Sequence, residues 1–277
     1  MQYESLNNPV ASAAQPGWWF VFCKDKLLVK ISDDDVQVPF VSAPGELNLD
    51  PKRLLHVGQL GDDPCFSTRL DSENSVPDGY AFQGMRTLFS RLDDMSYGIA
   101  GRAMQLVQWD MDHLFCSRCG QQAADRNKEG AQICRSCGYL SFPRISPAII
   151  VAVIRDNRIL LAHSGRFINN MYSVIAGYVE MGESLEECVK REVEEETGIE
   201  VKNIRYFGSQ YWAYSGALMV GFTAEYNSGD LRLDDAEIED AGWFAADDLP
   251  MLPGKLSIAR ELIDWFVEKN LNKEQPS

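Results

Sequence analysis

Between Gly177 and Ile199 the chain reads GYVEMGESLEECVKREVEEETGI, and this stretch restricts the local fold more than any other part of the sequence. Ser184 and Glu187 stand at capping-box spacing, in which each side chain satisfies a backbone N–H that the first helical turn leaves unpaired. Gly198 suits the left-handed residue that closes a helix. Together these signals predict a helix from about Leu185 to Thr197. Leu185, Val189 and Val193 recur every fourth residue as its apolar stripe, while Glu192, Glu195 and Glu196 occupy i, i+3 and i+4 on one side. Like charges so spaced cost an isolated helix about 0.2–0.5 kcal/mol per pair. Such a cluster is either a solvated acidic face or the cradle of a cation, and all-oxygen ligands suit Mg2+ or Mn2+.

A second constraint lies upstream. Cys116-Ser-Arg-Cys119-Gly and Cys134-Arg-Ser-Cys137-Gly repeat one pattern with fourteen residues between the pairs, just below the usual spacing of zinc ribbons. Four thiolates match tetrahedral Zn2+ and leave no open coordination position, which predicts a structural metal. The glycine after each pair lets the backbone curl so that amide N–H groups face the sulfurs. Arg118, Arg126, Lys128, Arg135 and Arg144 give this segment local basic character, so a nucleic-acid-binding ribbon is the rival to a plain structural one, with its arginines simply solvated. Of the seven cysteines, Cys23, Cys65 and Cys188 lie among apolar neighbours and read as small buried hydrophobes.

The remainder of the chain places these two features. Up to about Asp112, short apolar runs separated by Pro, Gly and Asp read as strands and turns, followed by a helical stretch carrying Ile99, Ala103, Leu106, Val107 and Trp109. Ile149–Ile154, a turn at Arg155-Asp156-Asn157 and Ile159–Ala162 read as a hairpin. Tyr172–Ala176 reads as a strand ending at Gly177, and Ala217–Tyr226 as a long strand ended by Asn227, Ser228 and Gly229. Ser257 stands as the N-cap of a closing helix with Ile258, Leu262, Trp265 and Phe266 on one face. The breaks predict three parts: 1–112, an N-terminal mainly β domain; 113–143, a zinc ribbon; and 144–277, an α+β domain.

At 277 residues with 45% hydrophobic content the chain can bury more than one core. Its formal charge of −15, from 41 acidic against 26 basic residues, argues against general attraction to nucleic acid and leaves room only for a local basic pocket. The paired cysteines suit a reducing compartment. The start has no signal-peptide pattern, and no segment approaches about 18 uninterrupted apolar residues. The expectation is a cytoplasmic protein without a membrane span. His56, His113 and His163 form no nucleophile–base pattern and read as structural.

Gly177, Glu183, Arg191, Glu192, Val193, Glu195, Glu196, Gly198 and Ile199 fill every fixed position of G-x5-E-x7-R-E-U-x-E-E-x-G-U, where U is a bulky aliphatic residue. The segment thereby resembles the box of the Nudix hydrolases. That resemblance implies a Nudix fold, a mixed sheet between helices, and metal-dependent hydrolysis of a phosphoanhydride. It implies that Glu192, Glu195 and Glu196 ligate Mg2+ or Mn2+ with the Ala176 carbonyl nearby, and that Glu183 and Arg191 brace the loop against the helix. Glu196, Glu183 and Glu237 are all open as the general base.

A cysteine ribbon before the box, with Ser209-Gln-Tyr-Trp212 after it, resembles the NADH pyrophosphatase family. Weaker short matches include Gly17-Trp-Trp19, Met85-Arg-Thr-Leu88 and Asp248-Leu-Pro250. The resemblance implies a homodimer that splits NAD(H) into nicotinamide mononucleotide and AMP and removes NAD caps from RNA. ADP-ribose and dinucleoside polyphosphates stand as alternative substrates, and a non-catalytic nucleotide- or RNA-binding module as a third reading. By the same resemblance Trp212 and Tyr178 stack on a base, and Phe142, Ile150, Ser209, Gln210, Tyr214 and Ala259 contribute to the pocket. Glu237 adds a metal ligand and Arg86 reaches a phosphate. The family motif SQPWPFPxS has prolines where this chain has Tyr211, Ala213 and Ser215, which predicts a looser or differently shaped pocket.

Overall fold

The computed structural model describes residues 2–4, 15–32, 35–51, 53–73, 76–89, 91–123, 126–127, 129–165, 170–233, 237–255 and 257–271, and Lys128 lies outside them. The chain forms two compact units, residues 1–144 and 145–277.

In the first unit the strands are β1 (Tyr3–Glu4), β2 (Gly17–Cys23), β3 (Lys26–Ser32), β4 (Asp35–Gln37), β5 (Phe40–Val41), β6 (Leu55–Leu60), β7 (Asp63–Leu70) and β8 (Tyr80–Gly84). They form one sheet in the order β1-β6-β7-β2-β3-β4, with β5 beside β2 and β8 beside β3. The helices are the short α1 (Met85–Leu88) and the long α2 (Asp94–Asp112), which buries Ile99, Ala103, Leu106, Val107 and Trp109 as its spacing predicts. Asp93 caps α2 by accepting from Ser96 N at 2.9 Å. The cysteine ribbon, with β9 (Gln132–Ile133) and β10 (Leu140–Ser141), belongs to this unit.

One buried polar cluster joins the ribbon to α2 and the sheet. Asp110, 2% exposed, takes a two-pronged ion pair from Arg53 at 2.6 and 3.1 Å and a hydrogen bond from Gln132 at 3.2 Å. Arg126 is buried as well, and its Nη2 donates to His56 O at 3.4 Å. The expectation that the ribbon arginines are solvated therefore fails at Arg126. The cause is long-range: the sheet and α2 close over a side chain whose own neighbours in sequence are polar.

The second unit answers to the predicted mixed sheet between helices. Its strands are β11 (Ser146–Arg155), β12 (Arg158–His163), β13 (Ile175–Tyr178), β14 (Glu200–Trp212), β15 (Ala217–Ser228) and β16 (Asp240–Ala245). Their order is β14-β15-β11-β12-β16, with β13 beside β11; β11 and β15 run parallel and the other pairs antiparallel. The hairpin turn sits at Asp156, whose φ is 56°. β13 does not end at Gly177 but pairs through Tyr178, because Ala148 and Ile149 of β11 continue to offer it a partner strand. Two strands, β14 and β16, have no counterpart in the sequence reading.

Side chains alternate across this sheet, so each face carries its own core. Ile149, Val151, Val153 and Phe222 pack under helix α3 (Leu185–Thr197) with its Cys188, Val189 and Val193. Ile150, Ala152 and Leu161 pack under helix α4 (Ile258–Leu271) with its Leu262, Ile263 and Phe266. Among the described residues no helix is long and apolar enough to cross a membrane.

The limits of α3 are those its caps predict. Ser184 Oγ accepts from Glu187 N at 3.3 Å, Glu187 Oε2 accepts from Ser184 N at 2.7 Å, and Gly198 closes the helix at φ 70°. Replacing Ser184 with Ala should cost about 1 kcal/mol, the usual worth of an N-cap. A fall in the urea midpoint of the transition that reports α3, with the folded spectrum retained, is the expected result.

Candidate active site

The box loop is fastened to α3 by one side chain. Arg191 Nε and Nη2 donate to the two oxygens of Glu183 at 3.0 and 2.7 Å, and Nη2 also donates to Tyr178 O at 3.0 Å. Its remaining nitrogen, Nη1, donates to Glu192 Oε1 at 2.8 Å and Glu195 Oε2 at 3.0 Å. Planar guanidinium geometry allows this many directed bonds at once, which an ammonium cannot supply. The Arg191 hydrogen bonds hold the Glu183 carboxyl down to about 2, helped by the backbone N–H of Glu180. Arg191 itself is driven above its ordinary value, chiefly by Glu183. The predicted brace between loop and helix is thus a set of charge-assisted bonds.

Glu192 is the acid held closest to the sheet. Its carboxylate lies against Gly177 so tightly that a Cβ on residue 177 would sit 1.9 Å from Cδ. Only glycine permits this approach, whatever its torsion angles. Burial pushes the Glu192 carboxyl above its usual range; Arg191 draws it back, and the nearby charges of Glu195 and Glu237 raise it again. Glu196 is buried and Glu195 is largely exposed. Glu237, in the connection between β15 and β16, is thereby placed near the box acids although far from them in sequence. The donors are carboxylate oxygens, which fits a hard divalent ion and not a thiophilic one. Among the described residues these acids do not converge within 4.8 Å of one another as a ready ligand set, in contrast to the cysteines. Arg191 occupies two of them, Glu192 and Glu195.

The cross-strand register sorts the expected pocket residues by face. Gln210, Met219, Ala148 and Tyr178 form one row across β14, β15, β11 and β13, and Trp212 follows Gln210 on the same side. Ile150 and Ala259 belong to the α4 core, so Ile150, Tyr178, Gln210, Trp212 and Ala259 share that face. Gln210 Oε1 accepts from Ile258 N at 2.9 Å and so satisfies the open start of α4. Tyr178 is 53% exposed, and the Trp212 and Tyr214 rings lie 5.2 Å apart. Ser209 falls in the adjacent row with Val220, Ile149 and Gly177, on the α3 face, and is not gathered with the others. Arg86 and the exposed Phe142 belong to the first unit. In the segment that lacks the family's prolines, Tyr211 and Trp212 pair with Leu218 and Ala217, and the turn closes with Gly216 N donating to Trp212 O at 3.0 Å.

The four cysteine sulfurs lie within 4.8 Å of one another, with Cys116–Cys137 at 3.7 Å and Cys119–Cys134 at 3.5 Å. A tetrahedral site with Zn–S bonds of about 2.3 Å has sulfur–sulfur edges of about 3.8 Å, so the spacing fits zinc closely. Gly120 and Gly138 adopt φ of 73° and 71°, and each donates its N–H to the carbonyl of the first cysteine of its pair at 2.9 Å. Backbone N–H groups of Cys137 and Ser136 help bring the Cys134 thiol down to about 6. Gln121 N–H lowers Cys119, but the crowding of Cys137 and Cys134 carries it up to about 12. A divalent cation would resolve that competition by taking all four as thiolates.

Two outcomes follow from these contacts. Gly177→Ala should fold yet bind Mn2+ at least about tenfold more weakly, because the new methyl group displaces the Glu192 carboxylate; titration calorimetry reads this, and unaltered affinity would contradict the packing argument. Cys116→Ser should lose stoichiometric zinc by elemental analysis and unfold at lower temperature. Wild-type protein purified without zinc would contradict the ribbon assignment.

The NUDIX domain profile matches residues 144–266, and that of the NADH pyrophosphatase-like rudimentary NUDIX domain matches residues 16–109. A Pseudomonas fluorescens protein named NAD-capped RNA hydrolase NudC is 44% identical over 220 residues, covering 79% of each chain. A protein of the same name from Stutzerimonas stutzeri is 38% identical over 268 residues, covering 94% of this chain and 93% of its own. The crystal structure of a NUDIX hydrolase from Nitrosomonas europaea superposes with a TM-score of 0.50 at 20% identity, over 59% of this chain and 94% of that one, a likeness of fold. With the box geometry, the cysteine cluster and both domain matches in agreement, the chain belongs to the NADH pyrophosphatase family of the Nudix hydrolases.

Proposed function

We propose that this chain is a Mg2+- or Mn2+-dependent pyrophosphohydrolase that splits NAD(H) into nicotinamide mononucleotide and AMP and acts likewise on RNA bearing a 5′ NAD cap. The observation that carries the reading is likeness to relatives named NAD-capped RNA hydrolase NudC that runs through both units of the chain. In this reading residues 1–112 are a scaffold, 113–143 a zinc ribbon and 144–277 the catalytic domain.

Glu192, Glu195, Glu196 and Glu237, with the Ala176 carbonyl, would hold the divalent ion. When bound, such an ion neutralises diphosphate charge and lowers the pKa of a water that attacks phosphorus. Arg191 and Glu183 keep the loop in place under the diphosphate. Of the three acids open as general base, Glu183 is the least suited, since Arg191 occupies both of its oxygens and its carboxyl is held down to about 2. Glu196 and Glu237 are the stronger choices. Tyr178 and Trp212 offer flat apolar faces to a base, and Ile150, Gln210, Tyr214 and Ala259 complete the wall beside them. By the family resemblance alone, Ser209, Phe142 and Arg86 would also contact substrate. Exposed Phe115, Tyr139 and Leu140 supply apolar surface on the ribbon that a second copy of the chain would cover.

The strand and tight turn that replace the proline-containing motif favour a second reading, in which ADP-ribose or a dinucleoside polyphosphate is the better substrate. Turnover of NADH, NAD, ADP-ribose and a diadenosine polyphosphate, each with product identification, separates the two. Preferred cleavage of NADH or NAD to nicotinamide mononucleotide is the expected outcome; equal slow turnover of all four would remove the assignment. Glu196→Gln should lower kcat more than about a hundredfold with the fold intact. Full activity in that variant would refute its role, whereas no turnover of any of the four substrates by the wild type with Mg2+ or Mn2+ would leave a nucleotide-binding module as the simpler description.

A further inference from the structure

On the α4 side of the second unit, away from the box, a recess of about 440 Å3 opens between the ends of β11, β14, β15 and α4. Arg155, Lys202, Arg205 and Lys269 line it, together with Tyr226 and Trp265. Four cations and two carboxylates, Asp156 and Glu225, therefore stand along its lining, in a chain whose formal charge is −15. Glu225 is engaged by Asn203 Nδ2 at 2.8 Å. Among the described residues none of the four cations makes an ion pair.

Two of them are instead held over aromatic rings. Lys269 Nζ lies 4.8 Å from the Trp265 ring centre within the recess, while the Arg155 guanidinium, at its rim, lies 4.5 Å from the Tyr226 ring centre and 5.8 Å from that of Trp243, two rings packed against the α3-side core. Stacking fixes the cations in place and leaves their donors free. Lys202 and Arg205 reach the same recess through an irregular turn of β14: its register with β15 shifts between them, and Asn203 adopts φ 53°. A bulge re-aims side chains in this way, and bulges gather beside functional sites. Along β11, Arg155 stands roughly 20 Å from Ile149, the partner of Gly177, so this is not the glutamate site.

We infer that this recess binds the phosphate of a nucleotide, either a free mononucleotide or one link of a single-stranded polynucleotide. Lys202, Arg205 and Lys269, without ion pairs among the described residues, supply the phosphate contacts, and the recess leaves room for the attached nucleoside. The volume lies within the roughly 300–1,000 Å3 of small-molecule pockets. The inference does not rest on the reading of the box glutamates.

The test compares wild-type protein with Lys202→Glu/Arg205→Glu, both positions exposed on the strand, and with Lys269→Gln as a milder second variant. Fluorescence anisotropy reads a labelled single-stranded RNA with a 5′-hydroxyl, and calorimetry reads AMP. The double variant should bind one or both probes at least about tenfold more weakly, with a shallower dependence on salt, and Lys269→Gln should weaken them in the same direction. NADH turnover should be unchanged in both variants. Loss confined to RNA identifies a polynucleotide link, and loss of AMP binding identifies a free nucleotide. Equal binding by all three proteins, or no binding of either probe to the wild type, would overturn the inference even if NADH is hydrolysed normally.

Discussion

A single guanidinium holds the catalytic domain's working parts together. Arg191 reaches forward one turn and out across the loop, joining Glu183, the Tyr178 carbonyl, Glu192 and Glu195. Without it the segment between Gly177 and Ser184 would be a polar loop with little reason to keep one conformation. With it, the end of β13, the loop and the acidic side of α3 become one rigid body. Rigidity matters because metal-assisted displacement at phosphorus depends on holding charge and water in fixed positions before the reaction starts.

The sheet divides the labour between its two faces. Gly177 and Glu192 meet on the α3 side, where buried acids repel one another and a cation is the natural remedy. Ile150, Tyr178, Gln210, Trp212 and Ala259 share the α4 side, where apolar and aromatic surface suits a flat ring. β13 is the hinge between the two, because Gly177 and Tyr178 are successive residues of one strand and project to opposite faces.

Local interactions were legible in the sequence, and distant ones were not. The limits of α3 follow from Ser184, Glu187 and Gly198, and each cysteine turn from its own glycine, since every contact spans a few residues. β14 is not legible in the sequence because its alternation is broken by irregularities at Asn203–Ile204 and Phe207 and most of its side chains are exposed or half-buried. The continuation of β13 beyond Gly177 is dictated by its partner β11, not by its own residues. The burial of Arg126 depends on His56 and the sheet, which no spacing within the ribbon could disclose. The place of Glu237 beside the box depends likewise on how β15 returns to β16. Gly177 was recognisable by its place in the pattern, but its reason, the room it leaves for the Glu192 carboxylate, appears only in three dimensions.

The central claim is that the carboxylates braced by Arg191 share one divalent ion. Anomalous diffraction at the manganese edge, from crystals grown with Mn2+ and a non-hydrolysable dinucleotide, tests it directly. A shared ion predicts a peak about 2.1 Å from oxygens of at least two among Glu192, Glu195 and Glu196. A peak elsewhere, with those three carboxylates bonded only to Arg191 and water while the diphosphate is bound, would contradict it.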